Sequence, residues 1–165
     1  MTNKYPSLKE AVSIWEGGIK ARIEKPYGFE EEEEYRFHTI GVASAAQKIA
    51  LHTTSMDAEK AYILGLLHDY GKIINEKIEK VFHGKVGYEE MQNMGYDDVA
   101  KICLTHTFPH KIFNDEDFSY PKEWKDWARN TLKNIKYDDY DSLICLCDKF
   151  FEGLSVVSIE KRVEG

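Results

Sequence analysis

The sequence predicts an all-α helical bundle, on three observations. Apolar residues recur at spacings of three and four almost throughout the chain. Period-two alternation is nearly absent, so no sheet is expected. Capping and stop residues fall at intervals of helical length.

The first helix opens at Ser7, with Glu10 three residues on as a capping box, and runs to about Lys25, before Pro26. A second spans about 29 to 51. Its start carries the acidic run Glu30 to Glu34, which reads as a solvated helix beginning with acids at the positive end of the dipole. A third starts near Ser55 or Asp57 and ends at Gly71, a residue suited to a C-terminal stop. A shorter helix follows His83 and ends at Gly95. Asp97 is placed to cap the next, which runs to about Thr107 and stops before Pro109. Two more cover about Pro121 to Ile135 and Asp138 to Glu152, and Ser158 is a candidate start for a short final turn.

A length of 165 residues suits one domain, 1–165, with one core, and 42% hydrophobic with 31% charged residues is ordinary for a globular protein. A net charge of −7 argues against a nucleic-acid polymer as partner, because a phosphate backbone calls for a basic patch. A small phosphorylated substrate stays compatible, since a bound metal ion would supply local positive charge. Cys103, Cys145 and Cys147 are too few for a disulfide framework and read as free thiols in a reducing cytoplasm. The N-terminus lacks an apolar targeting segment, and no apolar run is long enough to span a bilayer, so no membrane partner and a cytoplasmic location are expected. Trp124 and Trp127 suit core filling better than subunit pairing, with a homodimer left open.

The chemistry-bearing signal is polar residues inside apolar stripes. Residues three, four and seven apart share a helix face. His38 shares its face with Gly41, Val42 and Ala45, and His68 with Gly65, Leu64 and Ala61. His106 shares its face with Cys103, Ile102 and Val99, and Asp148 lies beside Cys145, Ile144 and Phe151. A carboxylate removed from water without a partner costs several kcal/mol, so buried charges are normally paired or bound to metal. Imidazoles and a carboxylate converging from separate helices make a plausible divalent-ion site. Asp141, two turns before Asp148, reads as a structural partner holding a ligand or a helix end. His52, beside Lys48, and His110, after a proline, read as surface or structural residues.

The segment Leu66-Leu67-His68-Asp69-Tyr70-Gly71-Lys72 ends an apolar helix in a His-Asp pair. Adjacent helical residues differ by about 100°, so His68 and Asp69 can grip one ion from neighbouring directions. Asp69 has two oxygens and could bridge to a second ion. Lys72 follows Asp69 by three residues, which places its ammonium over the same spot, where a metal-bound phosphate would gain from it.

His38, the His68-Asp69 doublet and Asp148, in that order on successive helices, resemble the H…HD…D signature of the HD-domain superfamily. The stretch from Leu67 to Lys72 resembles its H-D-x-G-K variant, with Tyr70 in place of the usual isoleucine. The likeness covers about 30–152. It implies an HD-domain-like helical bundle, a divalent metal held by His38, His68, Asp69 and Asp148, and hydrolysis of phosphate esters. Metal-activated water is the expected nucleophile, with Asp69 and Lys72 catalytic. Two-metal members add two histidines between the doublet and the last aspartate, for which His83 and His106 stand in order. The alternative is one metal, with His83 and His106 contacting substrate phosphate. Ligands of this kind suit Mn, Fe, Co, Ni or Zn better than Mg alone. The stretch from Tyr137 to Asp148, with Glu160-Lys161-Arg162 later, looks like small stand-alone members. The expected substrate is a small phosphorylated molecule of the nucleotide kind. A non-catalytic nucleotide- or metal-binding module and a di-iron oxygenase are the competing readings.

Overall fold

The computed structural model describes residues 4–25, 28–74, 82–111 and 120–158. Helix α1, Leu8–Ile23, opens with the capping box: Ser7 N–H donates to the Glu10 carboxylate at 2.8 Å, and Glu10 N–H donates back to Ser7 Oγ at 3.4 Å. Such a cap is worth about 1 kcal/mol. Helix α2, Glu32–Leu51, begins with the acidic run at its surface. Trp15 Nε1 donates to Thr39 Oγ1 at 3.1 Å and ties α1 to α2.

Helix α3, Ala58–Leu67, is capped by Asp57, whose carboxylate accepts from Lys60 N–H at 2.8 Å. A turn at His68 and Asp69 separates it from the short helix α4, Tyr70–Ile74. Gly71 is therefore not a stop. It lies inside α4, without the left-handed backbone seen at Gly28, Gly95 and Gly153. Its lack of a side chain serves a different need: a Cβ there would come 2.0 Å from the carbonyl oxygen of His83.

Helix α5, His83–Asn93, ends ahead of Gly95, which takes a φ of 83° as a C-terminal glycine does. Helix α6, Asp97–Thr105, is capped at Tyr96 and not at Asp97. Asp97 is already helical, and its carboxylate accepts instead from Gln92 Nε2 at 2.8 Å. Helix α7 is Lys122–Asn134 and helix α8 is Asp139–Asp148, the latter opened by Asp138 in a capping box with Asp141. The expected continuation of α8 to Glu152 fails, because the chain turns back at Gly153 (φ 54°). Strands β1, Phe151–Glu152, and β2, Ser155–Val156, pair antiparallel there, with Phe151 opposite Val156. Among the described residues this hairpin, with strands of two residues each, is the exception to a helical fold. The features expected at Pro26 and at Glu160-Lys161-Arg162, and a turn starting from Ser158, lie outside the described residues.

One core runs through α1 to α6 and α8, and includes Trp15, Ile19, Val42, Leu64, Leu67, Ile102 and Ile144. A second, aromatic-rich cluster of Phe82, Leu104, Phe108, Ala128 and Leu132 lies under α7. Trp124 and Trp127 are partly buried against that cluster, the core use expected of them. No helix among the described residues is long and apolar enough to cross a membrane.

Candidate metal centre

Small residues draw the helices together where the polar groups meet. Ala43, Ala46, Ala50 and Ala61 are fully buried between α2 and α3, and a Cβ on Gly65 would stand 2.7 Å from the backbone of Ala43. This close crossing sets His38, on α2, against His68 at the end of α3. Their Nε2 atoms are 3.2 Å apart. Gly71 does the same on the other side, letting α4 meet the first turn of α5 so that His83 reaches Asp69. Nε2 of His83 lies 3.3 Å from that of His106, which ends α6. Asp148 closes α8 and places Oδ1 3.1 Å from His38 Nε2 and 3.6 Å from His68 Nε2.

Asp69 stands between the two imidazole pairs. Its Oδ2 is 3.4 Å from both His38 and His68 Nε2, and its Oδ1 is 3.4 Å from both His83 and His106 Nε2. Two groups that could hold a metal ion result, His38-His68-Asp69 and Asp69-His83-His106, sharing one carboxylate. The spacings suit ions. Nitrogens about 2.0–2.1 Å from one metal, at angles between octahedral and tetrahedral, stand roughly 3.0–3.4 Å apart.

Two further features fit a metal. Asp69 Oδ1 is buried and accepts no well-formed hydrogen bond, a costly state that a cation would relieve. The rings are also pre-set: His68 Nδ1–H donates to the Gly65 carbonyl at 2.7 Å and His106 Nδ1–H to the Ile102 carbonyl at 3.0 Å. A carbonyl only accepts, so Nδ1 carries a proton and Nε2 is the nitrogen turned into the site, the arrangement metal-ligating histidines use.

The electrostatics follow from this crowding. Burial works against charge on His38, but hydrogen bonds to Asp148 and Asp69 prevail and raise it from 6.5 to about 9. Burial likewise opposes ionisation of Asp69, yet His68 and Lys72 hold it well below the carboxylate range. Asp148 is also lowered, by His38 and His68 against its burial. His83 goes the other way, driven by burial down to about 3, and stays neutral.

All seven expected residues meet in this one place. Lys72 Nζ donates to Asp69 Oδ2 at 2.5 Å and is raised by that carboxylate in spite of burial. His52 and His110 are exposed and lie apart from it. Asp141 is a structural partner: it accepts from Thr105 Oγ1 at 2.6 Å and from Lys101 at 2.9 Å. One neighbour escaped sequence reasoning, and so did the contact of Phe151, expected beside Asp148, with the His38 ring. Lys149 Nζ donates to Asp148 Oδ2 at 2.9 Å, a contact hinted at only by adjacency. Phe151 stands edge-on to the His38 ring, its centroid 6.4 Å away, and fills the space over Gly41.

Comparison with the curated proteins and with the solved structures gives no match. A family model for the HD domain matches residues 35–151, from the turn before His38 to the residue just after α8 and Lys149-Phe150. With most of its length matched, and with an H…HD…D set gathered at one centre, the chain belongs to the HD domain family.

Proposed function

We propose that the chain is a divalent-metal-dependent phosphohydrolase acting on a small phosphorylated molecule of the nucleotide kind. The observation that carries this reading is the double reach of Asp69, one oxygen toward each imidazole pair. On this reading His38, His68, Asp69 and Asp148 hold one ion, and Asp69, His83 and His106 hold a second. Imidazole and carboxylate ligands without thiolate favour Mn, Fe, Co, Ni or Zn over Mg alone. Ions held there supply Lewis acidity at phosphoryl oxygens and a water acidic enough to attack near neutral pH.

The protein's own groups do the rest. Asp69 stays ionised and His83 stays neutral across the physiological range, so each has a lone pair available to a cation. Lys72 holds an ammonium beside Asp69, where it neutralises charge growing on a phosphate in the transition state. A covalent thiol route is disfavoured, since burial pushes the Cys103 thiol up and leaves no thiolate. Attack by water fits better.

Elemental analysis of the purified protein, joined to a screen of phosphomonoesters and nucleotides with Mn, Co and Ni, tests the reading. Bound transition metal with metal-dependent phosphate release is the expected result. Tight nucleotide binding without turnover, across all the metals, would replace it with a binding module.

A further inference from the structure

Two lysines border the carboxylates of the centre from different helices. Lys72 on α4 donates to Asp69 Oδ2, and Lys149, the C-cap of α8, donates to Asp148 Oδ2. The carboxylates are 1% and 15% exposed, whereas the two lysine side chains are 47% and 45% exposed. The ammonium groups therefore stand between the buried cluster and solvent. A lysine at a helix C-cap has an ordinary use, as a cation near the last carbonyls. Lys149 directs its Nζ elsewhere, to the Asp148 oxygen other than the one nearest His38 and His68.

The charge balance gives this arrangement meaning. Two ammonium groups already offset the two carboxylates before any ion is added. Imidazoles bind metal as neutral rings, so each divalent ion brings two positive charges that the protein leaves uncompensated. In a chain of net charge −7 this makes a local site of at least two positive charges, which favours a dianion over a monoanion. A terminal phosphate carries roughly two negative charges and three acceptor oxygens. A diester has one charge and two free oxygens, so it offers two lysines and an ion half the charge and one acceptor fewer.

We propose that Lys149, together with Lys72, clamps a terminal phosphate dianion, making phosphomonoesters the preferred substrates over phosphodiesters. The proposal rests on the hydrolase reading and names the substrate class of that same site.

Calorimetry of inorganic phosphate binding to the manganese-loaded protein needs no turnover. Lys149→Gln should weaken phosphate binding about tenfold or more with manganese content unchanged, and Lys149→Arg should restore most of it. The wild type should favour p-nitrophenyl phosphate over bis-p-nitrophenyl phosphate in kcat/KM, and Lys149→Gln should narrow that ratio. Unchanged phosphate affinity in Lys149→Gln overturns the clamp. So does loss of manganese from that variant, which would assign Lys149 to holding Asp148. A protein that hydrolyses diesters as well as monoesters keeps the hydrolase reading and loses the clamp. One that binds phosphate through Lys149 but hydrolyses no ester does the reverse.

Discussion

Thr105 donates to the Asp141 carboxylate at 2.6 Å, joining the residue before His106 to the helix that ends in Asp148. The second oxygen of Asp141 accepts from Lys101 at 2.9 Å and from Asp138 N–H at 2.7 Å. One buried carboxylate thus sets the spacing of α6 and α8. Asp141→Ala strands Thr105, while Lys101 keeps its 2.6 Å bond to Asp138, and should cost about 1–3 kcal/mol, read as a lowered urea midpoint. Asp141→Asn keeps the shape and one acceptor, and should cost less.

Asp69→Ala should abolish metal binding and phosphate release together while far-ultraviolet circular dichroism stays helical. His106→Ala touches one imidazole pair only, and should leave the ion held by His38, His68 and Asp148. Metal-to-protein ratios of the two variants distinguish a shared carboxylate from two independent sites. Equal loss in both would argue against separable ions.

Gly71→Ala should destabilise the protein by about 1–3 kcal/mol or more, as overpacking does, because the new methyl would meet the His83 carbonyl oxygen at 2.0 Å. It should also weaken metal binding by displacing His83. Gly17→Ala on α1 is the matched control, with nothing within 4 Å of the added carbon. It should be neutral or stabilising by up to about 1 kcal/mol. Chemical denaturation of the pair checks both.

His38 is raised to about 9 in the metal-free protein, from an ordinary 6.5. A raised value contributes stability that is complete below the unfolded pKa and disappears as pH climbs through the folded one. Metal-free stability should therefore decline between about pH 6.5 and 9 on account of His38. An ion taking its Nε2 must displace that proton. Near neutral pH, about one proton per protein should be released on metal binding, and affinity should rise over the same interval. Calorimetry in buffers of different ionisation enthalpy measures the proton, and His38→Gln should remove it.

Most of the candidate centre was legible because its residues break an expectation that a core imposes. His38, His68, His106 and Asp148 each interrupt an apolar face, and burying them without partners is costly enough to demand an explanation. His83 was harder to place. It is the first residue of its helix, with no preceding turn on which a stripe could show. Gly71 read as a helix stop because its real constraint, the backbone of α5, is a tertiary neighbour with no trace in local spacing. Asp97 looked like a cap by residue type, while Tyr96 takes that position through backbone geometry alone. The hairpin at Phe151 has strands of two residues, too short for alternation to register. Lys149 leaves no signal in the sequence, because adjacency on a helix normally separates two side chains.

The Nδ1 contacts of His68 and His106 to carbonyls of their own helices have a consequence for ion choice. Neither ring can swing to follow an ion of another radius without giving up that bond. On the proposed reading, fitting another ion at His68 would move α3 against α2, along a seam where a Cβ on Gly65 would already stand 2.7 Å from the Ala43 backbone. Ionic size would then be sensed by the hydrophobic scaffold, and enlarging Ala43 or Ala46 should retune which cation the protein takes up, read as relative affinities for Mn and Zn.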